Sequence, residues 1–334
     1  MMPRTLGVLV NPAAGQDPAR NLAAAAAAVA ALAPERVLAL TEHLKVLGGG
    51  DRRPLADQVD EGRSRTRSLA LAAVNGGADA LLVVGGDGTL SDAATALHLA
   101  GVRCPIIGVG AGSINAGDLI TCAVTDVAAL AGATLESAPV GAMSVTVAGS
   151  LLALAFNDVY IGTTIVSTSE GRLRDLSATA RLAGRAEPQR PHRLRCPDAR
   201  VTRTGPGGDV LIASGVMAGS VVIARTAVPG IRGKAIVGGV GLSATSGMPG
   251  GCLVADRPLV QVELGAAELL AEEPLHLAYA SFGPQHAIEM TGFGAPAALN
   301  ADGNPLRELA PEDRVQVRFE PEAATVLRVR APRQ

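Results

Sequence analysis

A chain of 334 residues with 48% apolar content has enough material for two domains of ordinary size and a large core. Aromatic residues make up only 2% of it and tryptophan is absent, so stacking platforms for single-stranded nucleic acid are hard to build. A net charge of −2 gives no general attraction to nucleic acid or acidic membranes.

Leu6 to Val10 is the first predicted strand. It ends in the turn Asn11-Pro12-Ala13-Ala14-Gly15, after which Asp17 as N-cap and Pro18 at the first helical position open a helix. The run Leu22 to Ala33 is apolar but about half the length that spans a bilayer, and alanine-rich sequence forms an ordinary packed helix. The first apolar stretch is too short for a signal peptide, so no transmembrane segment and a cytoplasmic location are expected. A second strand is expected around Val37 to Leu40. The glycine- and charge-rich stretch from Leu47 to Arg67 reads as mobile, and Ser68 to Val74 as a helix.

Ala80 to Val84 is a short, continuous apolar run bounded by turn residues, the pattern of a buried parallel strand. Gly85-Gly86-Asp87-Gly88-Thr89 follows directly. Thr89 is predicted to cap the next helix, with Asp92 completing a capping-box-like pair and Gly101 ending it. Pro105 to Val109 is a further strand, opening onto a second glycine-rich loop, Gly108 to Gly117, that contains Gly110, Gly112, Ser113 and Asn115. Strand and helix signals alternate through residues 1–140, which predicts an α/β domain with a parallel sheet covered by helices on both faces.

From Gly141 the pattern turns to alternating, β-rich segments. Ser144 to Ala148 and Leu151 to Ile161 are predicted to form a hairpin about a glycine-first turn, Gly149-Ser150. An Arg-, Pro- and Gly-rich stretch, 184–208, reads as an exposed loop. Further strands are expected at Val210–Ser214, Val221–Ala224, Leu259–Glu263, Leu275–Ala280, Val315–Phe319 and Thr325–Val329. Residues 141–320 therefore read as a second, mainly antiparallel β domain. The cysteines, Cys104, Cys122, Cys196 and Cys252, form no CxxC pair and no metal-ligand spacing, so free, mostly buried thiols and no protein metal centre are expected.

The loop behind Val84 carries the chemistry. Its glycines remove every Cβ that would keep backbone N–H groups away from a polyphosphate. The one carboxylate among them, Asp87, would repel a phosphate, which points to a metal partner or to a base facing a hydroxyl. The alternative is a tight turn in which Asp87 caps a helix. The Gly108–Gly117 loop misses the dinucleotide fingerprint, since Ser113 or Asn115 stands where the third small residue belongs; it suits backbone contact to phosphate or ribose, or tight packing. Asn157-Asp158 interrupts an apolar strand, where an acid is costly unless it finds a partner or a site; an outward-facing edge pair is the plainer alternative. Asp302-Gly303 is a hairpin signal. Lys234 fails the P-loop pattern, and no HExxH or serine elbow occurs.

Asn11 to Gly15, the Gly85–Thr89 loop and Asn157-Asp158, with the late segment Ala301-Asp302-Gly303-Asn304, resemble the NAD kinase and diacylglycerol kinase superfamily, closest to a divergent ATP-NAD kinase. The resemblance implies a Rossmann-like N-terminal domain (1–140), a C-terminal antiparallel β-sandwich (141–320) and a final strand (321–334) able to return to the first domain. It implies transfer of a phosphate from Mg²⁺-bound ATP, or from polyphosphate, to the 2′-hydroxyl of NAD. Asp87 inherits the role of acting on that hydroxyl. Asn157 and Asp158 inherit contacts to nucleoside hydroxyls, and Asn11, Gly85, Gly86, Gly88, Thr89, Gly110, Gly112, Ser113 and Asn115 line the nucleotide. Arg172 or Arg174 would help meet donor charge. A homo-oligomer is usual for such proteins. A lipid or other small-alcohol kinase and a non-catalytic nucleotide-binding regulator are the alternatives. The family's Gly-Ser-Thr-Ala-Tyr segment has no full counterpart; Gly219-Ser220 and Ala244 to Gly247 come nearest, without the tyrosine.

Overall fold

The computed structural model describes residues 2–56, 62–112, 115, 117–169, 172–226, 247–262 and 274–330. They form two compact units, Met1–Gly141 with Pro321–Gln334, and Ala142–Glu320.

The first unit alternates strand and helix: β1 (Thr5–Val10), α1 (Pro18–Leu32), β2 (Arg36–Ala39), α2 (Thr41–Leu44), β3 (Asp51–Pro54), α3 (Gly62–Asn75), β4 (Ala80–Gly85), α4 (Asp87–Leu99), β5 (Ile106–Gly110) and β6 (Cys122–Ala123). Strands β3-β2-β1-β4-β5 lie in that order, and every pair is parallel. The central strands β4 and β5 are buried along their whole length, as continuous apolar runs must be when helices cover both faces. Alanines of α1 (Ala24, Ala25, Ala28) pack with Val8, Val84 and Val109 in one apolar layer. Close approach is built in: a Cβ on Gly7 of β1 would lie 2.7 Å from the Ala73 methyl of α3. The edge strand β3 is short, fully exposed and carries Arg52, Arg53 and Pro54, features that discourage pairing with another chain. It falls, with the first half of α3, in the stretch expected to be mobile.

The second unit contains β7 (Leu135–Val147), which begins in the first unit, then β8 (Ser150–Ala155), β9 (Asp158–Gly162), β10 (Thr164–Ser169), β11 (Arg172–Ser177), α5 (Ala178–Leu182), β12 (Arg200–Thr204), β13 (Val210–Ser214), β14 (Ser220–Arg225), β15 (Gly250–Ala255), β16 (Leu277–Phe282), β17 (Ala287–Thr291), β18 (Ala298–Ala301), β19 (Asn304–Glu308) and β20 (Val315–Val329). One antiparallel sheet runs β16-β15-β14-β9-β18-β19. A second layer has β13-β12-β17-β20 with β7 and β8 beyond. Val159, Ile161, Val221, Ile223 and Leu299 of the first sheet share a core with Met143, Val145, Val201, Ile288 and Val317 of the other. A sandwich is what two sheets with one apolar face each must form. The last part of β20, from Pro321, belongs to the first unit, where Val326 pairs in parallel with Ile106. An α/β parallel sheet and an antiparallel sandwich are the fold class expected from the sequence.

Several local expectations are corrected. The hairpin turn between β7 and β8 is Ala148-Gly149, both with left-handed φ (49° and 80°), since Val147 pairs with Ser150. Leu151 to Ile161 breaks at Asn157 into β8 and β9, and the two strands expected near the end are one, β20. Residues 259–262 are not strand; Glu263 lies outside the described residues. All four cysteines are free, and burial pushes the Cys104 thiol up to about 12 and Cys122 up to about 11, so neither is a ready thiolate. Among the described residues no helix is long and apolar enough to cross a membrane.

Candidate active site

In the first unit, the chain runs β1 to β2 to β3 outward, then returns to place β4 on the other side of β1. Ligands of open α/β sheets bind at the carboxyl ends of strands where the order reverses in this way. Three loops meet there, after β1, β4 and β5.

The Asn11 loop is tied to the Asp87 loop from both ends. Asn11 N–H donates to the Val84 carbonyl at 2.9 Å, and its Nδ2 donates to Thr89 Oγ1 at 2.7 Å. Its Oδ1 accepts from Ala13 N–H at 3.0 Å, closing an Asx turn. Beneath it, Asn21 is 1% exposed and its Nδ2 donates to the carbonyls of Asn11 (3.1 Å) and Ala14 (2.7 Å). Asn21 was not expected in the site. Its signal was a single amide in an otherwise alanine-rich helix, a polar group that must find partners once buried.

Helix α4 begins at Asp87 with Gly86 as its N-cap residue. The predicted cap at Thr89 is therefore wrong. Thr89 stands one turn inside, and its hydroxyl is spent on Asn11. Asp92 closes no capping box: it is 3% exposed and receives Arg63 through Nη2 at 2.7 Å and Arg67 through Nη2 at 3.3 Å. This carboxylate ties α4 to α3.

The glycines act through what they lack. A Cβ on Gly85 would strike the Thr89 side chain at 2.6 Å, and one on Gly112 would lie 2.8 Å from the Gly86 Cα, so the loops after β4 and β5 touch backbone to backbone. Gly15 has φ of 62° and would place a Cβ 2.4 Å from the Ala111 carbonyl. Asn115 shapes its own loop, accepting from Gly112 N–H at 2.9 Å and donating to the Gly110 carbonyl at 3.2 Å. Asp87 is half-buried in the first turn of α4, where the helix dipole favours an anion, and its Oδ1 accepts from Gly117 N–H at 3.2 Å. Gly88 follows it, half-buried. Asn11, Gly85, Gly86, Asp87, Gly88, Thr89, Gly110, Gly112 and Asn115 are thus gathered at one sheet edge. Ser113 lies outside the described residues, as do Lys234 and Ala244 to Ser246.

Asn157 and Asp158 stand in the second unit, both half-buried, at the break between β8 and β9. Asp302, in the β18–β19 turn with Gly303 (φ 48° and 75°), accepts there from Phe156 N–H at 2.8 Å, Asn157 N–H at 2.7 Å and Asp158 N–H at 3.2 Å. Gly219 and Ser220 serve packing: a Cβ on Gly219 would meet the Asp256 carbonyl at 2.4 Å, and Ser220 Oγ donates to the Arg257 carbonyl at 2.8 Å. Arg172 and Arg174 lie on β11.

The family profile described as the diacylglycerol kinase catalytic domain matches residues 5–129, which contain every loop of the first unit's site. Residues 5–129 form a catalytic domain of the diacylglycerol kinase/NAD kinase-like superfamily. An uncharacterized protein of Archaeoglobus fulgidus is 30% identical over 263 residues, covering 77% of this chain and 79% of that protein. Among solved structures, a diacylglycerol kinase from Bacillus anthracis superposes with a TM-score of 0.50 at 13% identity, covering 99% of this chain and 98% of that one. A candidate diacylglycerol kinase from the same organism superposes with a TM-score of 0.54 at 14% identity, covering 99% of each chain. These likenesses at low identity are likenesses of fold. As a member of this superfamily the protein is a kinase, a phosphotransferase with an alcohol acceptor.

Proposed function

We propose that this kinase phosphorylates the 2′-hydroxyl of NAD, with Mg²⁺-ATP or polyphosphate as donor. The observation that carries the reading is the Asn157-Asp158 pair: adjacent polar side chains on a turn whose backbone is hydrogen-bonded throughout suit vicinal ribose hydroxyls better than the single hydroxyl of a diacylglycerol. Asp87 orients the acceptor hydroxyl and takes its proton, while the glycine loops offer backbone N–H groups to donor phosphates. Among the described residues no group of His, Cys, Asp and Glu forms a metal cage. Mg²⁺ would arrive with the nucleotide, held chiefly by its phosphate oxygens and water. Bound there, the ion would neutralise charge on the transferring phosphate.

The lipid reading is favoured by the description of the matching family profile. Incubation with Mg²⁺ and ATP against NAD, NADH and a lipid panel, read by the mass of the acceptor, separates the two. A phosphate mass added to NAD supports the proposal. Addition to diacylglycerol alone, with NAD untouched, overturns it.

A further inference from the structure

The segment Phe156-Asn157-Asp158 carries the chain from β8 into β9, whose first residue, Asp158, pairs with Ala224 of β14, and two residues from distant parts of the second unit engage its backbone. The Asp302 carboxylate accepts the N–H groups of Phe156, Asn157 and Asp158. The Asp302 N–H donates to the Asp158 carbonyl at 3.0 Å. From the other side, Arg225 Nη1 donates to the Phe156 carbonyl at 3.0 Å and Arg225 N–H donates to the Asn157 carbonyl at 3.1 Å. Each of the six polar backbone groups of the segment thereby has a partner on Asp302 or Arg225.

We infer that Asp302 and Arg225 are positioning residues that hold the Asn157-Asp158 turn in one conformation. The expense is visible. Arg225 is only 5% exposed, an environment where a guanidinium is kept only with fixed partners. Asp302 sits at φ of 48°, a left-handed conformation that few residues other than glycine, asparagine and aspartate adopt readily. Hydrogen bonds to an ionised carboxylate are stronger than neutral ones, so three converging on Asp302 leave the turn little freedom. The Cα–Cβ directions of Asn157 and Asp158 are fixed as a result, and preorganised binding groups lose less entropy when a ligand arrives. Asp302 acts in this scheme as an acceptor of backbone hydrogen bonds and handles no proton of the reaction. The role in catalysis rests on the reading that Asn157 and Asp158 hold the acceptor's hydroxyls.

The test uses the full chain with Mg²⁺-ATP and NAD. Asp302→Asn replaces one carboxylate oxygen by a donor that must face a backbone N–H. It is expected to raise the KM for NAD roughly tenfold or more, leaving the KM for ATP and both limbs of the pH–rate profile in place. Arg225→Lys, which keeps the charge and loses the fork, is expected to shift the same KM by a smaller factor. Hydrogen exchange of peptides spanning 154–160, measured without substrate, is expected to show protection in the native chain and in Asn157→Ala, and its loss in D302N. Unchanged exchange in D302N overturns the inference, and so does loss of a pH limb, which would make Asp302 a proton-handling group. If the native chain leaves NAD unphosphorylated while exchange follows the expected pattern, the acceptor reading has failed and the positioning role stands.

Discussion

Around Asp87, irregular backbone is held in place mainly by removing side chains: Gly86 and Gly112 touch, Gly15 passes under the Ala111 carbonyl, and Gly85 makes room for Thr89. Around Asn157, irregular backbone is held by adding charged side chains, Asp302 and Arg225, whose hydrogen bonds carry the backbone across the break before β9. Both devices fix a turn, but they fail differently. A contact between glycines is lost when one methyl is added, whereas a charged clamp is lost when one acceptor is removed. The first suits a loop that must let backbone approach a ligand, the second a turn that must aim side chains.

The comparison can be broken most severely at the carboxylate in the glycine loop. Asp87→Asn is expected to lower turnover by roughly two to four orders of magnitude. Its thermal unfolding should stay near that of the native chain; unchanged steady-state kinetics would remove Asp87 from the chemistry. Next is Gly112→Ala. With backbone only 2.8 Å from the new Cβ, one loop must move, and kcat/KM is expected to fall roughly 10- to 100-fold. A near-native rate in G112A would show that the two loops need not touch. A smaller effect is expected from Thr89→Val, which keeps the shape but leaves Asn11 Nδ2 without its acceptor at 2.7 Å, at a cost of about 1–3 kcal/mol read by chemical denaturation. Smallest is a pH effect in neither region. Burial foremost, with Arg65 adding to it against Glu42, holds His43 below its ordinary value of 6.5. The unfolded chain then takes up the proton first, so this contribution to stability is present above pH 6.5 and lost as pH falls toward the lowered folded value. His43→Gln should flatten the acid side of the melting-temperature profile slightly, and an unaltered profile would remove His43 as its source.

What was legible in the chain was whatever depends on neighbours in sequence. Ala80 to Val84 reads as a buried strand because period and punctuation are local, and Asp302-Gly303 reads as a hairpin because left-handed φ selects few residues. The glycine loop and its acid were legible for the same reason. The capping role given to Asp92 was not borne out because its partner, Arg63, stands 29 residues earlier. The turn at Ala148-Gly149 was displaced by one residue because Ala148 adopts the left-handed conformation that sequence reserves for glycine. Arg225 lies just past the strand expected at Val221–Ala224, and only tertiary structure brings it to the Phe156 carbonyl. Asn21 is hidden likewise, its work done ten residues back at Asn11.

The return of β20 to the first unit carries a consequence for how this chain is made. Thr121 Oγ1 donates to the Leu327 carbonyl across 206 residues of sequence, and Arg328 donates to the carbonyls of Ile120 and Asp118. On the ribosome, the parallel sheet holding Asp87 is therefore synthesised well before the strand that finishes it. The closure carries the loop entropy of everything translated in between, a slow step by the usual relation of topology to rate. A nascent chain arrested near residue 300 would still lack the segment that pairs with Ile106 of β5.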